Sequence, residues 1–221
     1  MKTIKLFKVM SLVIVITAVV SCEKGDTSEI TEVETIKEVA KIDATISKDN
    51  WIAWEDFPEE LKNAVPLSKQ GIDDSAVENK SFAYSTSSYG GTGGNYFSVN
   101  PPSGTKIYAI AIRSGRLVDR ITVYYRGTNG AIYTGFSEGG SGGTYALHFF
   151  EEDEYIERMN VRAGRLIDRL YFETNYKSFG YGGNGGTSYS IDIPSSTHHI
   201  LGFYGRSARL VDQIGFYVHT K

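Results

Sequence analysis

At 221 residues the chain has room for one ordinary domain plus accessory sequence. Its 24 glycines and 15 tyrosines, against only 5 prolines, lean toward an all-β fold, and 41% hydrophobic residues suffice for a core. A net charge of −3 lacks the basic excess that nucleic-acid binding demands, so no nucleic-acid partner is expected. The charge is also uneven. Residues 1–22 carry three lysines and no acids, residues 23–88 seven lysines and fifteen acids, and residues 89–221 thirteen basic and eleven acidic groups. Three chemistries along one chain imply three jobs.

The chain opens with Lys2, Lys5 and Lys8 ahead of an apolar stretch from Val9 to Val20. That length suits a signal-peptide core and is short for a membrane span. The stretch ends in Val19-Val20-Ser21-Cys22, which resembles the bacterial lipobox, whose Cys is lipidated and becomes the first residue of the mature protein. Cys22 is the only cysteine, so it has no partner for an intrachain disulfide. Residues 1–21 are expected to be a lipoprotein signal peptide and Cys22 a lipid anchor in the bacterial cell envelope. Glu23 after the Cys favours the outer membrane. An ordinary secretory signal with an incidental Cys is the alternative.

Residues 22–79 read as an acidic stalk. Ile36, Val39, Ala40 and Ile42 give weakly helical spacing, and a second short helix is expected near Asp56 with Pro58 in its first turn. The stretch from Pro66 to Lys80 reads as loop. The favoured reading of the whole segment is a solvated spacer. The alternative is that Trp51, Trp54 and Phe57 dock on the domain or on a partner.

Residues 80–221 carry an internal repeat. Three glycine-rich loops occur, Gly90–Gly94, Gly139–Gly143 and Gly182–Gly186. Three copies of a second motif follow them: Arg113-Ser-Gly-Arg-Leu-Val-Asp119, Arg162-Ala-Gly-Arg-Leu-Ile-Asp168 and Arg206-Ser-Ala-Arg-Leu-Val-Asp212. From the first Gly of each loop to the next Asp is 29, 29 and 30 positions. Register that tight marks triplication. Ile121/Val123, Leu170/Phe172 and Ile214/Phe216 fall two apart, on one face of a strand, and are expected in a shared core. Ile107–Ile112 reads as a further strand and Asn129-Gly130 as a turn. Three such units can close around a pseudo-threefold axis, each sheet covering the open faces of the others. A propeller usually needs four or more blades.

These loops and motifs resemble the jacalin-related lectins, the β-prism I family, and among them the griffithsin-like members with three Gly-Gly-x-Gly-Gly loops and three Asp motifs. The resemblance covers roughly residues 80–221. It implies an all-β prism of three Greek-key four-stranded sheets, and sugar held between each Asp turn and a Gly loop of another repeat. Carried over, Asp119 pairs with the loop ending at Gly143, Asp168 with that ending at Gly186, and Asp212 with that ending at Gly94. The backbone N–H groups of Arg116-Leu117, Arg165-Leu166 and Arg209-Leu210 are expected to donate to sugar oxygens. An ionised carboxylate accepts through two oxygens, which suits neighbouring hydroxyls. No cofactor or metal is expected, and neither is catalysis. The alternative role for the aspartates is ion pairing with Arg113 or Arg120.

The sequence departs from the griffithsin-like pattern in two ways. Leu117, Leu166 and Leu210 stand where those members have Tyr, which implies weaker binding or another preference. Ala208 replaces the Gly of the third motif. If that backbone is left-handed, Ala costs about 1–2 kcal/mol there, so the third site is expected to be the least secure. Arg116, Arg165 and Arg209 either pack and solubilise the turns or touch acidic glycans. Mannose or glucose is favoured over galactose, because galactose-specific relatives use a free N-terminus at the first Gly loop. Glu151-Glu152-Asp153-Glu154 reads as an acidic turn rather than a calcium site, and His198-His199 as an exposed strand start. The expected function is glycan capture or adhesion at the cell surface. The alternative is a β-prism that serves as a structural or protein-interaction module.

Overall fold

The computed structural model describes residues 51–67, 82–102 and 104–221. Cys22, the signal segment and the helical spacing at Ile36–Ile42 lie outside the described residues, as does most of the expected loop before Lys80. In chain order the strands are β1 (Trp51–Ile52), β2 (Val65–Pro66), β3 (Tyr84–Ser85), β4 (Tyr89–Gly90), β5 (Asn95–Val99), β6 (Lys106–Ser114), β7 (Val118–Arg126) and β8 (Ile132–Gly139). They continue as β9 (Thr144–Phe149), β10 (Ile156–Ala163), β11 (Ile167–Thr174), β12 (Ser178–Gly182), β13 (Thr187–Asp192), β14 (His198–Ser207) and β15 (Val211–Thr220).

Apart from β1 and β2, the described strands form three units, each four strands wide. The first runs β9-β6-β7-β8 and the second β13-β10-β11-β12. The third places β5 beside β14, β14 beside β15, and both β4 and β3 along the far side of β15. In each unit the fourth strand returns beside the first, the Greek-key order. The third unit is assembled from both ends of the domain. Among the described residues a single strand-register pair, Ile156↔Ile200, joins the second and third units into one sheet.

The alternating pattern of the strands sets the core. Ile121, Val123, Leu170, Phe172, Ile214 and Phe216 are all fully buried, as their spacing predicts. Burying a side chain of this size contributes about 1.5–3 kcal/mol. Phe97 of the third unit stacks on Phe136 of the first at 5.2 Å, and Tyr125 Oη donates to Leu201 O at 2.8 Å, so the units interlock across the core. At Asn129-Gly130 the expected turn forms, with Gly130 at φ 79°.

Residues 51–67 depart from the expected spacer. β1 pairs with the edge of β9, and β2 runs parallel to β8. Phe57 and Leu61 are buried on Ala109, Ala111, Tyr124 and Leu147, a small second core on the outer face of the first unit. That face is apolar and needs a cover. The outer face of the second unit is polar and satisfies itself: Arg158 pairs with Asp192 at 2.5 Å and Glu173 at 3.3 Å. The expected helix begins later than Asp56. A 3-10 turn covers Trp54–Asp56 and the α-turn covers Glu59–Lys62, with Pro58 as its N-cap. Proline pushes the residue before it to extended backbone, and Phe57 has ψ 139°, so the helix cannot start before Pro58.

Candidate functional site

Each unit carries the same hairpin at the same end. The β6–β7, β10–β11 and β14–β15 turns close when the N–H of Gly115, Gly164 and Ala208 donates to Leu117 O, Leu166 O and Leu210 O, at 3.0, 3.1 and 3.0 Å. A register shift falls just before every turn, at Arg113/Ser114, Arg162/Ala163 and Arg206/Ser207. Such bulges bend a strand and re-aim its side chains. Asp119, Asp168 and Asp212 follow the turns and are half-buried.

A glycine loop lies beside each aspartate, in the pairing expected. Gly140, Gly183 and Gly91 donate their N–H to the backbone oxygens of Asp119, Asp168 and Asp212 at 2.8, 2.9 and 2.8 Å. A Cβ on Gly143, Gly186 or Gly94 would stand 2.7, 2.6 or 2.8 Å from the Oδ2 of the same three aspartates. Those glycines also have φ 65°, 65° and 69°. Both the left-handed backbone and the approach of the carboxylate require glycine there. For Asp119 and Asp168 the partner loop comes from the next repeat along the sequence, and for Asp212 it comes from the first repeat; each loop belongs to the same sheet as its aspartate, because the folded unit is offset from the sequence unit.

The arginines that open the motifs do not neutralise the aspartates. Arg113 donates from Nε to Gly142 O at 2.7 Å and from Nη2 to Gly143 O at 3.1 Å. Arg162 does the same to Gly185 O and Gly186 O at 2.9 and 3.1 Å, and Arg206 to Gly93 O and Gly94 O at 3.0 and 2.8 Å. Arg120 holds Gly140 O and Gly139 O, both at 2.8 Å. A planar guanidinium suits two carbonyls at once. Ion pairing with the aspartates, the alternative role of Arg113 and Arg120, is therefore not what these side chains do. The signal for the clamp was an Arg six positions before each Asp.

Among the described residues none of the three carboxylates carries a hydrogen bond or ion pair within the protein. Burial holds the Asp119 carboxyl above its ordinary pKa, and the charge of Arg113 offsets part of that. The backbone N–H groups of Arg116, Leu117, Arg165, Leu166, Arg209 and Leu210 donate to no backbone carbonyl among the described residues. Each pocket thus offers unused acceptors on one side and unused donors on the other. In the turns, Leu117, Leu166 and Leu210 are half-buried, and Arg116, Arg165 and Arg209 are exposed with no internal partner among the described residues.

The left-handed backbone on which the expected weakness at Ala208 depended is absent from its counterparts. Gly115 and Gly164, its counterparts, are not among the positive-φ glycines. A Cβ on Gly115 meets nothing within 4 Å, and one on Gly164 meets only Gly186 Cα at 4.0 Å. The turn accepts a methyl without strain, and Ala208 makes the same turn hydrogen bond as the glycines.

The three sites also touch one another. A Cβ on Gly91, in the third unit's loop, would lie 2.5 Å from Arg165 O in the second unit's turn. Gly183 abuts Arg116 O in the same way, and Gly140 abuts Arg209 O, which closes a ring. Ser207 Oγ adds a bond to Glu138 Oε2 at 2.6 Å between the third and first units.

The remaining candidates are structural. Glu154 is buried, accepts from Thr174 Oγ1 at 2.9 Å and pairs with Lys177 at 3.4 Å, so it caps the acidic turn. No group of three His, Cys, Asp or Glu side chains placed to hold a metal ion occurs among the described residues. His199 is half-buried rather than exposed, and its pKa is lowered to about 4, mainly by burial.

The family model for the Jacalin-like lectin domain matches residues 86–217. Among solved structures, wild-type Malaysian banana lectin is 30% identical with a TM-score of 0.57, over 63% of this chain and 99% of that one. A mannose binding jacalin related lectin from Ananas comosus is 26% identical with a TM-score of 0.57, over 62% and 98% of the two chains. Artocarpin, solved with methyl-α-mannose, is 25% identical with a TM-score of 0.56, over 62% and 97%. The chain therefore belongs to the jacalin-like lectin domain family, carbohydrate-binding proteins built on the β-prism described above.

Proposed function

We propose that this protein is a lectin with three metal-independent sugar sites at one end of its prism, centred on Asp119, Asp168 and Asp212. One observation carries the reading. In all three copies a half-buried carboxylate with no partner among the described residues faces a glycine loop whose carbonyls are already held by arginine. The carboxylate accepts from neighbouring sugar hydroxyls, and a hydrogen bond to a charged group contributes about 1.5–3 kcal/mol. The turn N–H groups donate from the other side, and the Leu packs on a C–H face. Mannose- or glucose-type sugars are favoured, since the related structures from Ananas comosus and of artocarpin are of mannose-binding proteins. Three sites on one rigid body follow the griffithsin-like arrangement and gain by avidity, on the order of 10²–10⁴ where the glycan geometry allows.

The proposal extends to location. Cys22 anchors the protein by lipid in the bacterial envelope, at the outer membrane, where the lectin captures polysaccharide or mediates adhesion. Fatty-acid labelling that is lost in Cys22→Ser supports this, and equal labelling sinks it. The guanidinium groups of Arg116, Arg165 and Arg209, exposed and without a partner among the described residues, favour a second ligand class, acidic glycans. Salt-sensitive binding to sulfated or uronic glycans would support that class.

A glycan array with the wild type and the Asp119→Asn/Asp168→Asn/Asp212→Asn variant tests the sugar sites. None of these three carboxylates makes a hydrogen bond among the described residues, so the variant should keep its melting temperature and lose its signal. A silent wild type, or equal signals from both proteins, would leave the prism as an interaction module only.

A further inference from the structure

The three pockets share their chemistry but not their surroundings. Two residues beyond the loops stand Tyr145, Ser188 and Tyr96. Tyr145 lies across the strand pair from Arg113, whose guanidinium sits 4.7 Å over its ring while clamping the loop of the Asp119 site. The 51–67 segment, packed on the first unit, adds Trp54. Its ring is 6.0 Å from that of Tyr145 and 5.0 Å from that of Phe57. Phe57 and Leu61 supply the anchoring, each only 2% exposed, yet Trp54 keeps 45% of its surface open. An open indole beside a half-open phenol therefore continues outward from the rim of one pocket. The second unit offers Ser188 in the place of Tyr145, and the third offers Tyr96 without a Trp beside it.

We infer that Trp54 and Tyr145 extend the Asp119 site into a subsite for the further residues of an oligosaccharide chain. The inference rests on the lectin reading. Sugar rings present C–H faces that stack on aromatic faces, and aromatic side chains supply large contact area with little entropy lost. Pockets of this kind combine an apolar wall with a few polar anchors, here the Trp54–Tyr145 wall and Asp119. The exposed acids Glu55 and Asp56 follow Trp54 directly, so the chain that fits is neutral. The Asp119 site then selects longer neutral chains, while the Asp168 site reads terminal sugar alone.

The test uses the full chain with Asp168→Asn and Asp212→Asn, which leaves the Asp119 pocket. Methyl-α-mannoside and a neutral mannotriose are titrated by calorimetry and by tryptophan emission. Trp51 and Trp54 are the two tryptophans of the chain, so emission reports this segment alone. The trisaccharide should bind about fivefold tighter or more and shift the emission, while the monosaccharide should not shift it. Trp54→Ala should remove that advantage and leave monosaccharide affinity within about twofold. Should Trp54→Ala loosen the segment, Tyr145→Ser, which copies the second unit, should give the same selective loss. Equal affinity for both sugars, or loss of both alike in the variants, overturns the subsite and leaves the lectin reading standing. No binding of either sugar overturns both.

Discussion

The ring of contacts among the sites makes a specific expectation about Gly91→Ala. Gly91 is not at positive φ, so the methyl meets a steric obstacle and no backbone strain. The obstacle is Arg165 O at 2.5 Å, with the carbonyl carbon at 3.2 Å. Ordinary contact begins at 3.4 Å, so the two backbones must part by roughly 0.9 Å. Backbone yields less readily than the end of a flexible side chain, and overpacking of this kind costs about 1–3 kcal/mol. The obstacle belongs to the turn that presents Asp168, although Gly91 belongs to the loop of the Asp212 site. The damage should therefore cross from one site to the other. With Asp119→Asn and Asp212→Asn as background, calorimetric titration of methyl-α-mannoside reads the Asp168 site alone. Gly91→Ala should weaken it about fivefold, near 1 kcal/mol. Gly115→Ala, where a Cβ meets nothing within 4 Å, is the control and should be neutral. Unchanged binding at the Asp168 site, or an equal loss in the control, would refute the reasoning.

Three further outcomes are expected. Arg162→Met removes two bonds to Gly185 O and Gly186 O and should cost about 1–2 kcal/mol, since the side chain is partly open to solvent; thermal melting and titration of the Asp168 site both read it. Ala208→Gly should not improve the Asp212 site and should lower stability by about 0.5–1 kcal/mol through unfolded-state entropy, as checked by denaturant melts. His199 has a folded pKa lowered to about 4 against an ordinary 6.5. Between those values the unfolded chain binds the extra proton, so stability falls as pH falls. His199→Phe should flatten that part of the melting curve between pH 7 and pH 4.5, and superimposable curves would exclude His199 as a cause.

Much of this architecture is written in short-range patterns. The two-residue spacing of Ile121/Val123 and its counterparts placed six side chains in the core, and the loop-to-Asp spacing marked three units. Which loop faces which Asp is a long-range fact. The pairing of Asp212 with Gly94 joins opposite ends of the domain, and only the family resemblance supplied it. The role of Arg113, Arg162 and Arg206 escaped because carbonyl acceptors have no residue type: any backbone offers them, whereas an Asp nearby advertises an ion pair. Ala208 was misjudged because a Gly in two copies suggested a left-handed turn, while the turn itself is one that a methyl fits. The docking of Phe57 and Leu61 depends on an apolar outer face made by Ala109, Ala111 and Leu147, which alternation along β6 and β9 alone does not distinguish from a core face.

The third unit joins β3, β4 and β5 to β14 and β15. A ribosome therefore releases the first strands of this sheet more than a hundred residues before their partners exist. Pairing across that separation is slow, since loop closure comes before the contacts that reward it. β3, β4 and β5 stay without these partners until β14 and β15 have been made. A transcript cut short of β15 would leave β3 and β4 without a neighbour and the Asp212 pocket unbuilt. Synthesis of β14 and β15 thus acts as the closing clasp of the whole prism, and a chain that has not yet reached them remains unlocked.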